Sequence, residues 1–362
     1  MFLKIKTPET YITENGIVAR AGEYISAYGR KAFVISGKTA FAAIKEKFIG
    51  SLEKNGISAD SVNIFSGYPS QSQFDSYAAK AKEAGADVIV GIGGGRVLDT
   101  AKAVGDILGL PVAAVPTVGA TCAAWAAVTI QYDDIGRFVN FRNNAHSARL
   151  VLADPEVILR SPVRYLHSGV VDTFAKLYEI RPVNESHPEN IPFDVALYAS
   201  GIAFDRLVAK TISAEKDAEK GVFAGDAKDV VDSIIYLAGF AGSLQTELSQ
   251  YSFAHPFYHS ATRITGTHEK LHGEIVATGI IVQLLLEKKP QEELSRALEL
   301  FRSFGDLFSL TDLGLGESQE ELAASVSFLT KDIKTSFGTP WTEDEVSNAL
   351  LSADGIIRDF KK

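Results

Sequence analysis

The segment that most restricts the fold is Asp87-Val-Ile-Val-Gly-Ile-Gly-Gly-Gly-Arg96, where an apolar, β-branched run passes through glycines straight into a helical pattern. From Arg96 onward, Val97, Leu98, Ala101 and Val104 recur on one helix face. A strand, a glycine turn and a helix N-terminus aim backbone N–H groups and the helix dipole at an anion such as a pyrophosphate. Glycine suits that place because a Cβ would block the approach. Gly91 and Gly93 fit the first two positions of the Gly-x-Gly-x-x-Gly fingerprint, but Arg96 stands at the third, and no Gly-Lys-Ser/Thr ending follows. A plain tight turn therefore stays open as the alternative. Asp99 and Lys102, three apart on one face, are then either site residues or a surface ion pair.

Around this segment the pattern repeats. Ala32-Phe-Val-Ile-Ser36, Val62-Asn-Ile-Phe65, Val112-Ala-Ala-Val115 and Leu150-Val-Leu-Ala153 are short β-branched runs separated by helical stretches. Such alternation predicts a parallel, Rossmann-like sheet covered by helices on both faces, with its ligand at the carboxyl ends of the strands. Val128–Tyr132 and Arg137–Phe141 flank Asp133-Asp-Ile-Gly136, which predicts a β-hairpin. Pro155 and Pro162 mark a change of texture, and the boundary is placed near residue 160. Beyond it, 163–181, 192–213, 225–250, 273–288, 291–304, 318–333 and 343–353 show helical periodicity. The expected organisation is an α/β domain over 1–160 followed by an all-α domain over 161–362.

Composition excludes several classes. A net charge of -9 without any Lys/Arg run argues against a nucleic-acid partner. Cys122 is the single cysteine, so no intrachain disulfide can form, which fits a reducing compartment. The N-terminus carries no apolar core of signal-peptide length and no segment reaches the roughly 18 apolar residues of a membrane span, so no membrane association and a cytoplasmic location are expected.

In the second half, Asp172 and Lys176 stand at i and i+4 in apolar helical surroundings. A buried salt bridge between them explains the pair without any ligand. Four of the seven histidines, however, fall between residues 255 and 272: His255, His259, His268 and His272. The spacing matches no familiar zinc motif, and structural histidines remain an alternative. A carboxylate with two imidazoles would leave an open position on a divalent ion, as substrate polarisation requires.

At these residues the chain resembles the iron-containing (group III) alcohol dehydrogenase superfamily and, within it, the glycerol dehydrogenase branch. The resemblance runs over nearly the whole chain. It rests on Gly93-Gly-Gly-Arg-Val-Leu-Asp99-Thr-Ala-Lys102, Pro116-Thr-Val-Gly-Ala-Thr121, Asp172 with Lys176, and His255 with His272, in that order. It implies a dehydroquinate synthase-like fold, with a nucleotide-binding α/β domain and a helical metal-binding domain. It also implies a small-molecule substrate and a homo-oligomer. Asp172, His255 and His272 would be the metal ligands. Iron-type members carry a fourth ligand, a histidine, where this chain has Lys176, which favours Zn2+ over Fe2+. His259 would be a proton relay, and Lys176 a second catalytic residue. Nucleotide contacts would fall on Gly94, Gly95, Arg96, Val97, Leu98, Asp99, Thr117, Val118, Gly119, Ala120, Ala126, Val128 and Tyr132. Many NAD-using members have an acidic residue after the first strand, whereas this chain has Ser36-Gly37-Lys38. Gly37 and Lys38 therefore favour NADP(H) over NAD(H).

Glycerol dehydrogenases place an Asp where this chain has Cys122, with Trp125 three further on. Ala120-Thr-Cys-Ala-Ala-Trp125 looks most like the hydroxycarboxylate dehydrogenase A group, which acts on 2-oxo acids. Cys122 and Trp125 are thus expected at the substrate, with Lys176, Arg263 or Lys102 as partner for a carboxylate. Glycerol or another polyol is the alternative substrate. A dehydroquinate-synthase-like lyase and a catalytically silent nucleotide-binding relative are rivals from other classes.

Overall fold

The computed structural model describes residues 2–305 and 307–362. Among them, one parallel sheet runs in the order Thr10–Thr13, Leu150–Ala153, Val112–Pro116, Val88–Gly93, Lys31–Gly37, Ser58–Phe65. The five β-branched runs all become strands. Alternation sorts their side chains: Phe33 and Ile35 enter one apolar layer, Ala32 and Val34 the other. Val88–Gly93 lies inside the sheet and is buried at every residue, as a strand covered on both faces must be. The sixth strand, Thr10–Thr13, went unread in the sequence. It is four half-buried residues at the sheet edge, formed through its register with Leu150–Ala153. A run so short carries too little periodicity to identify.

Helices Lys38–Lys54, Gln71–Glu83 and Gly95–Leu108 cover the sheet. Ile44, Phe48 and Leu52 close one face with Val34 and Val90, while Leu98, Ala101 and Val104 close the other. That second layer is continuous with the helical half through Val170, Phe174 and Phe257. The hairpin forms from Val128–Tyr132 and Phe138–Asn143. Its second strand starts one residue late because Arg137 belongs to the turn, pairing with Asp133 at 2.7 Å. Gly136 takes φ 93° there.

After residue 160 the regular elements among the described residues are helices apart from Leu244–Gln245, which pairs antiparallel with Lys4–Ile5. The expected helix over 225–250 is interrupted. Asp226–Asp232 passes through a π turn at Ser233–Leu237 into Ala238–Ser243, and the chain then leaves the helical path. His272–Leu286 is apolar around nearly its whole circumference and correspondingly buried, so the other helices pack about it. Among the described residues, no helix is long and apolar enough to cross a membrane.

Lys102 joins the sheet half to the loop and hairpin above it. Its Nζ donates to the carbonyls of Ala123 (2.9 Å), Ala126 (2.8 Å) and Val128 (2.7 Å) and pairs with Asp99 at 2.9 Å. Asp99 in turn accepts the Ile130 N–H at 3.1 Å. The pair is therefore a buried clamp rather than the surface ion pair that was the alternative to site residues, with Lys102 2% exposed. Lys102→Met would leave three carbonyls and a carboxylate without their cation. A loss of about 3–5 kcal/mol is expected, read as a lowered denaturation midpoint.

Candidate functional site

The two halves enclose a cleft of about 1220 Å³. At its sheet side, Val88–Gly93 ends in the glycine turn, and Gly94 starts the helix Gly95–Leu108 without any side-chain cap. Gly93 takes φ 153°, and a Cβ there would sit 3.0 Å from Val97. The helix N-terminus therefore faces the cleft with open N–H groups, as an anion cradle requires. Arg96, at the place of the third fingerprint glycine, turns aside to stack 4.9 Å from the Tyr68 ring.

Gly94, Gly95, Arg96, Val97, Asp99, Thr117, Val118, Ala120, Ala126, Val128 and Tyr132 all line the cleft. Leu98 and Gly119 do not. Leu98 is core, and Gly119 backs onto Ile158 and Leu166. Gly37 caps the helix Lys38–Lys54, and Lys38 is exposed outside the cleft lining. The helix instead presents Thr39, Ala40, Ala43 and Lys47 to the cleft, one helical face that sequence reasoning missed.

At the helical side, three helices converge on one carboxylate. His255 Nε2 lies 3.3 Å and His272 Nε2 3.1 Å from the same oxygen, Asp172 Oδ1. The candidate ligand atoms of the three residues all lie within 4.8 Å of one another. Asp172 comes from Val163–Ser186, His255 from Ala254–Ala261, and His272 opens His272–Leu286. Two glycines permit this convergence. A Cβ on Gly273 would meet the Ser168 carbonyl oxygen at 2.1 Å, and one on Gly279 would meet Ala254 Cα at 2.9 Å.

Glu179, two turns beyond Asp172, completes the group and was not read in the sequence. It accepts the His255 backbone N–H at 3.0 Å and also meets His255 Nδ1. The signal was available: Asp172, Lys176 and Glu179 recur at i, i+4 and i+7. With Nδ1 held by a carboxylate, the gap between Nε2 and Asp172 Oδ1 must hold a proton or a cation, because a carboxylate is acceptor-only. Burial would raise the Asp172 carboxyl, but Lys176 and the imidazoles outweigh it and hold it well below the usual range. Burial lowers His272, offset only in part by Asp172. An anionic oxygen and two imidazole nitrogens fit a divalent transition metal.

Residues 8–155 match the model of the family described as iron-containing alcohol dehydrogenase. Hydroxycarboxylate dehydrogenase A of Escherichia coli (strain K12) is 36% identical over 260 residues, covering 71% of this chain and 70% of that protein. The chain belongs to the iron-containing alcohol dehydrogenase family. It is an oxidoreductase of the glycerol dehydrogenase-like branch. A glycerol dehydrogenase of Pseudomonas putida is 29% identical over 363 residues, covering 98% of each chain. The crystal structure of a probable glycerol dehydrogenase from Sinorhizobium meliloti has the same fold, with a TM-score of 0.85 at 23% identity, covering 98% of this chain and 99% of that one.

The remaining residues expected at the site fall in different surroundings. Trp125 does not line the cleft. Its indole N–H donates to Ser243 Oγ at 3.0 Å, and its ring packs against Tyr11 and Tyr236. Cys122 does line the cleft, with burial pushing its thiol up. Arg263 is committed elsewhere, paired with Asp332 and lying over Phe138 at 5.3 Å. Lys102 is saturated by the clamp. Lys176 remains: it is 10% exposed on the cleft, 3.9 Å from Asp172 Oδ1, and among the described residues it makes no hydrogen bond. Burial would lower its ammonium, but Asp172 outweighs that and holds it above the usual range, so it stays cationic.

His259 also lines the cleft, yet its ring sits among Phe138 (4.5 Å), Phe141 (4.6 Å) and Phe337 (5.9 Å), with Nδ1 lacking a partner among the described residues. Burial, with His255, His272 and Arg263 nearby, pushes it well below 6.5. The unfolded chain would protonate His259 where the folded chain does not, so this group removes stability as pH falls below about 6.5. In metal-free protein, His259→Phe should flatten the fall in Tm between about pH 7.5 and 5.5. The difference should be at most about 1.4 kcal/mol per pH unit.

Proposed function

We propose that this oxidoreductase moves hydride between a nicotinamide nucleotide and a small 2-oxo acid or its 2-hydroxy acid, with Zn2+ held by Asp172, His255 and His272. The observation that carries the substrate class is Lys176. An ammonium that among the described residues has no hydrogen-bond acceptor, beside the candidate metal position and facing the cleft, suits a substrate carboxylate. The same side chain stands where a fourth ligand would be, which supports a three-ligand zinc site over an iron site.

In this reading a bound divalent cation supplies the Lewis acidity that polarises the reacting carbonyl, and the nicotinamide gives or takes the hydride. The chain's own residues bind and orient. Lys176 holds the carboxylate, and the open helix N-terminus at Gly94–Arg96 holds the pyrophosphate. Tyr258 lies with its ring 4.1 Å from His272, and its hydroxyl shares a 2.9 Å hydrogen bond with Tyr132. Burial holds both phenols above their usual range, so they stay protonated and bridge hairpin to metal helix while excluding water. His259, neutral and enclosed by aromatic rings, is better suited to walling the cleft than to carrying a proton.

A polyol substrate is the second reading. It is favoured by glycerol dehydrogenases that match across 98% of the chain. The lyase reading loses ground because Arg263, a cation near the candidate site that could bind a phosphate, is already paired.

Lys176→Met separates the two substrate readings. KM for 2-oxo acids such as 2-oxobutanoate should rise roughly 10- to 100-fold, the equivalent of one charge-assisted hydrogen bond, with little change for glycerol. Equal losses on both substrates, with metal content preserved, would remove the carboxylate reading.

For the cofactor, the absence of an acidic side chain at Gly37 and the presence of Lys47 on the cleft favour NADP(H). Gly37 has φ -67°, and a Cβ there would meet Ala40 only at 3.6 Å, so a side chain is tolerated. Gly37→Asp should shift the ratio of kcat/KM towards NADH by about tenfold or more. An unchanged ratio would rule out this basis for selectivity.

A further inference from the structure

Glu179 is buried to 1% exposure, and the proposed chemistry gives it no task. Its two oxygens grip one residue at two points: Oε1 accepts the His255 backbone N–H at 3.0 Å, and Oε2 meets the Nδ1 of the same ring. The N–H belongs to the first turn of Ala254–Ala261, where such groups have no intrahelical acceptor and the N-cap residue, Phe253, supplies none. Glu179 thus caps this helix from another helix while holding its ring. Tyr251 packs against that ring at 4.5 Å.

We infer that Glu179 is a positioning residue for metal binding: it holds His255 with the hydrogen on Nδ1 and turns Nε2 to the cation. The inference rests on the metal reading above. A carboxylate can only accept, so its contact with Nδ1 places the ring hydrogen there, and Nε2 is left to offer its lone pair beside Asp172 Oδ1. The second contact, to the backbone, prevents the ring and its helix from moving separately. Because Asp172 and Glu179 lie on one helix, a single rigid element sets both the ligand oxygen and the orientation of a ligand nitrogen.

The test is Zn2+ and Co2+ affinity of the full chain, by chelator competition, in wild type and Glu179→Gln. Glutamine keeps the shape but has one acceptor oxygen, so it can serve the N–H or the Nδ1–H and must turn an NH2 towards the other. Affinity is expected to fall by roughly 10- to 100-fold, with a changed Co2+ visible spectrum. NADPH binding should stay within about twofold, a readout that general unfolding would not spare. Unchanged metal affinity with an unchanged spectrum overturns the inference. Failure of wild type to bind either ion overturns the metal reading itself, so the two failures are distinguishable. If the variant does not fold, the histidine ring 15N shifts of zinc-loaded wild type decide: His255 should carry hydrogen on Nδ1, and ligation through Nδ1 overturns the inference.

Discussion

One oxygen atom, Asp172 Oδ1, is where the helical half of this protein meets. A buried carboxylate is tolerable only with compensating partners, and here they come from three directions: Lys176 on its own helix and His255 and His272 from two others. The demand is steep because Asp172 is 2% exposed and its surroundings, Val170, Val171 and Phe174, are apolar. Three helices must therefore keep their relative positions, or an unpaired charge remains inside the core. The close contacts at Gly273 and Gly279 bring the His272 helix against the Asp172 and His255 helices, near enough for the short Asp side chain to reach both imidazoles.

The sheet half obeys a matching constraint. Lys102 is buried, and three carbonyls plus Asp99 compensate it. Those carbonyls belong to the loop and hairpin that lie over the strand ends, so one cation ties the top of the cleft to the helix that starts at the glycine cradle. The hairpin reaches across to the helical half through Tyr132 on Tyr258 and through Phe138 and Phe141 on His259. The cleft is thereby walled by both halves, and its two ends offer different chemistry: open N–H groups for an anion, and nitrogen and carboxylate donors for a cation. This separation is what an oxidoreductase of the family needs if cofactor and metal are to meet at one substrate.

Much of this was legible in the residues. Period-2 and continuous apolar runs identified five strands, and the hairpin followed from alternation around Asp133–Gly136. The clustering of His255, His259, His268 and His272, set against Asp172, pointed to a candidate metal site from residue types alone. Less legible was the environment of each side chain. Trp125 and Cys122 are three residues apart in one loop, yet one turns into the core against Tyr11 and Tyr236 while the other faces the cleft. Local sequence contains no record of which side the loop's partners occupy.

The sequence by itself determined the alternation of strand and helix, the glycine turn at Gly91–Gly95 and the residue types able to hold a metal, because periodicity and donor chemistry are local properties. Tertiary structure alone decided which cations have their hydrogen-bonding capacity filled. Lys102, Lys176 and Arg263 were equivalent candidates for an anion until packing gave Lys102 three carbonyls and Arg263 an Asp332 partner. Among the described residues, Lys176 was left with Asp172 at 3.9 Å but without a hydrogen-bond acceptor. It also decided that Glu179, 76 positions from His255, grips that histidine. Such pairings depend on which helices the core brings together, a property of the whole chain rather than of any window within it.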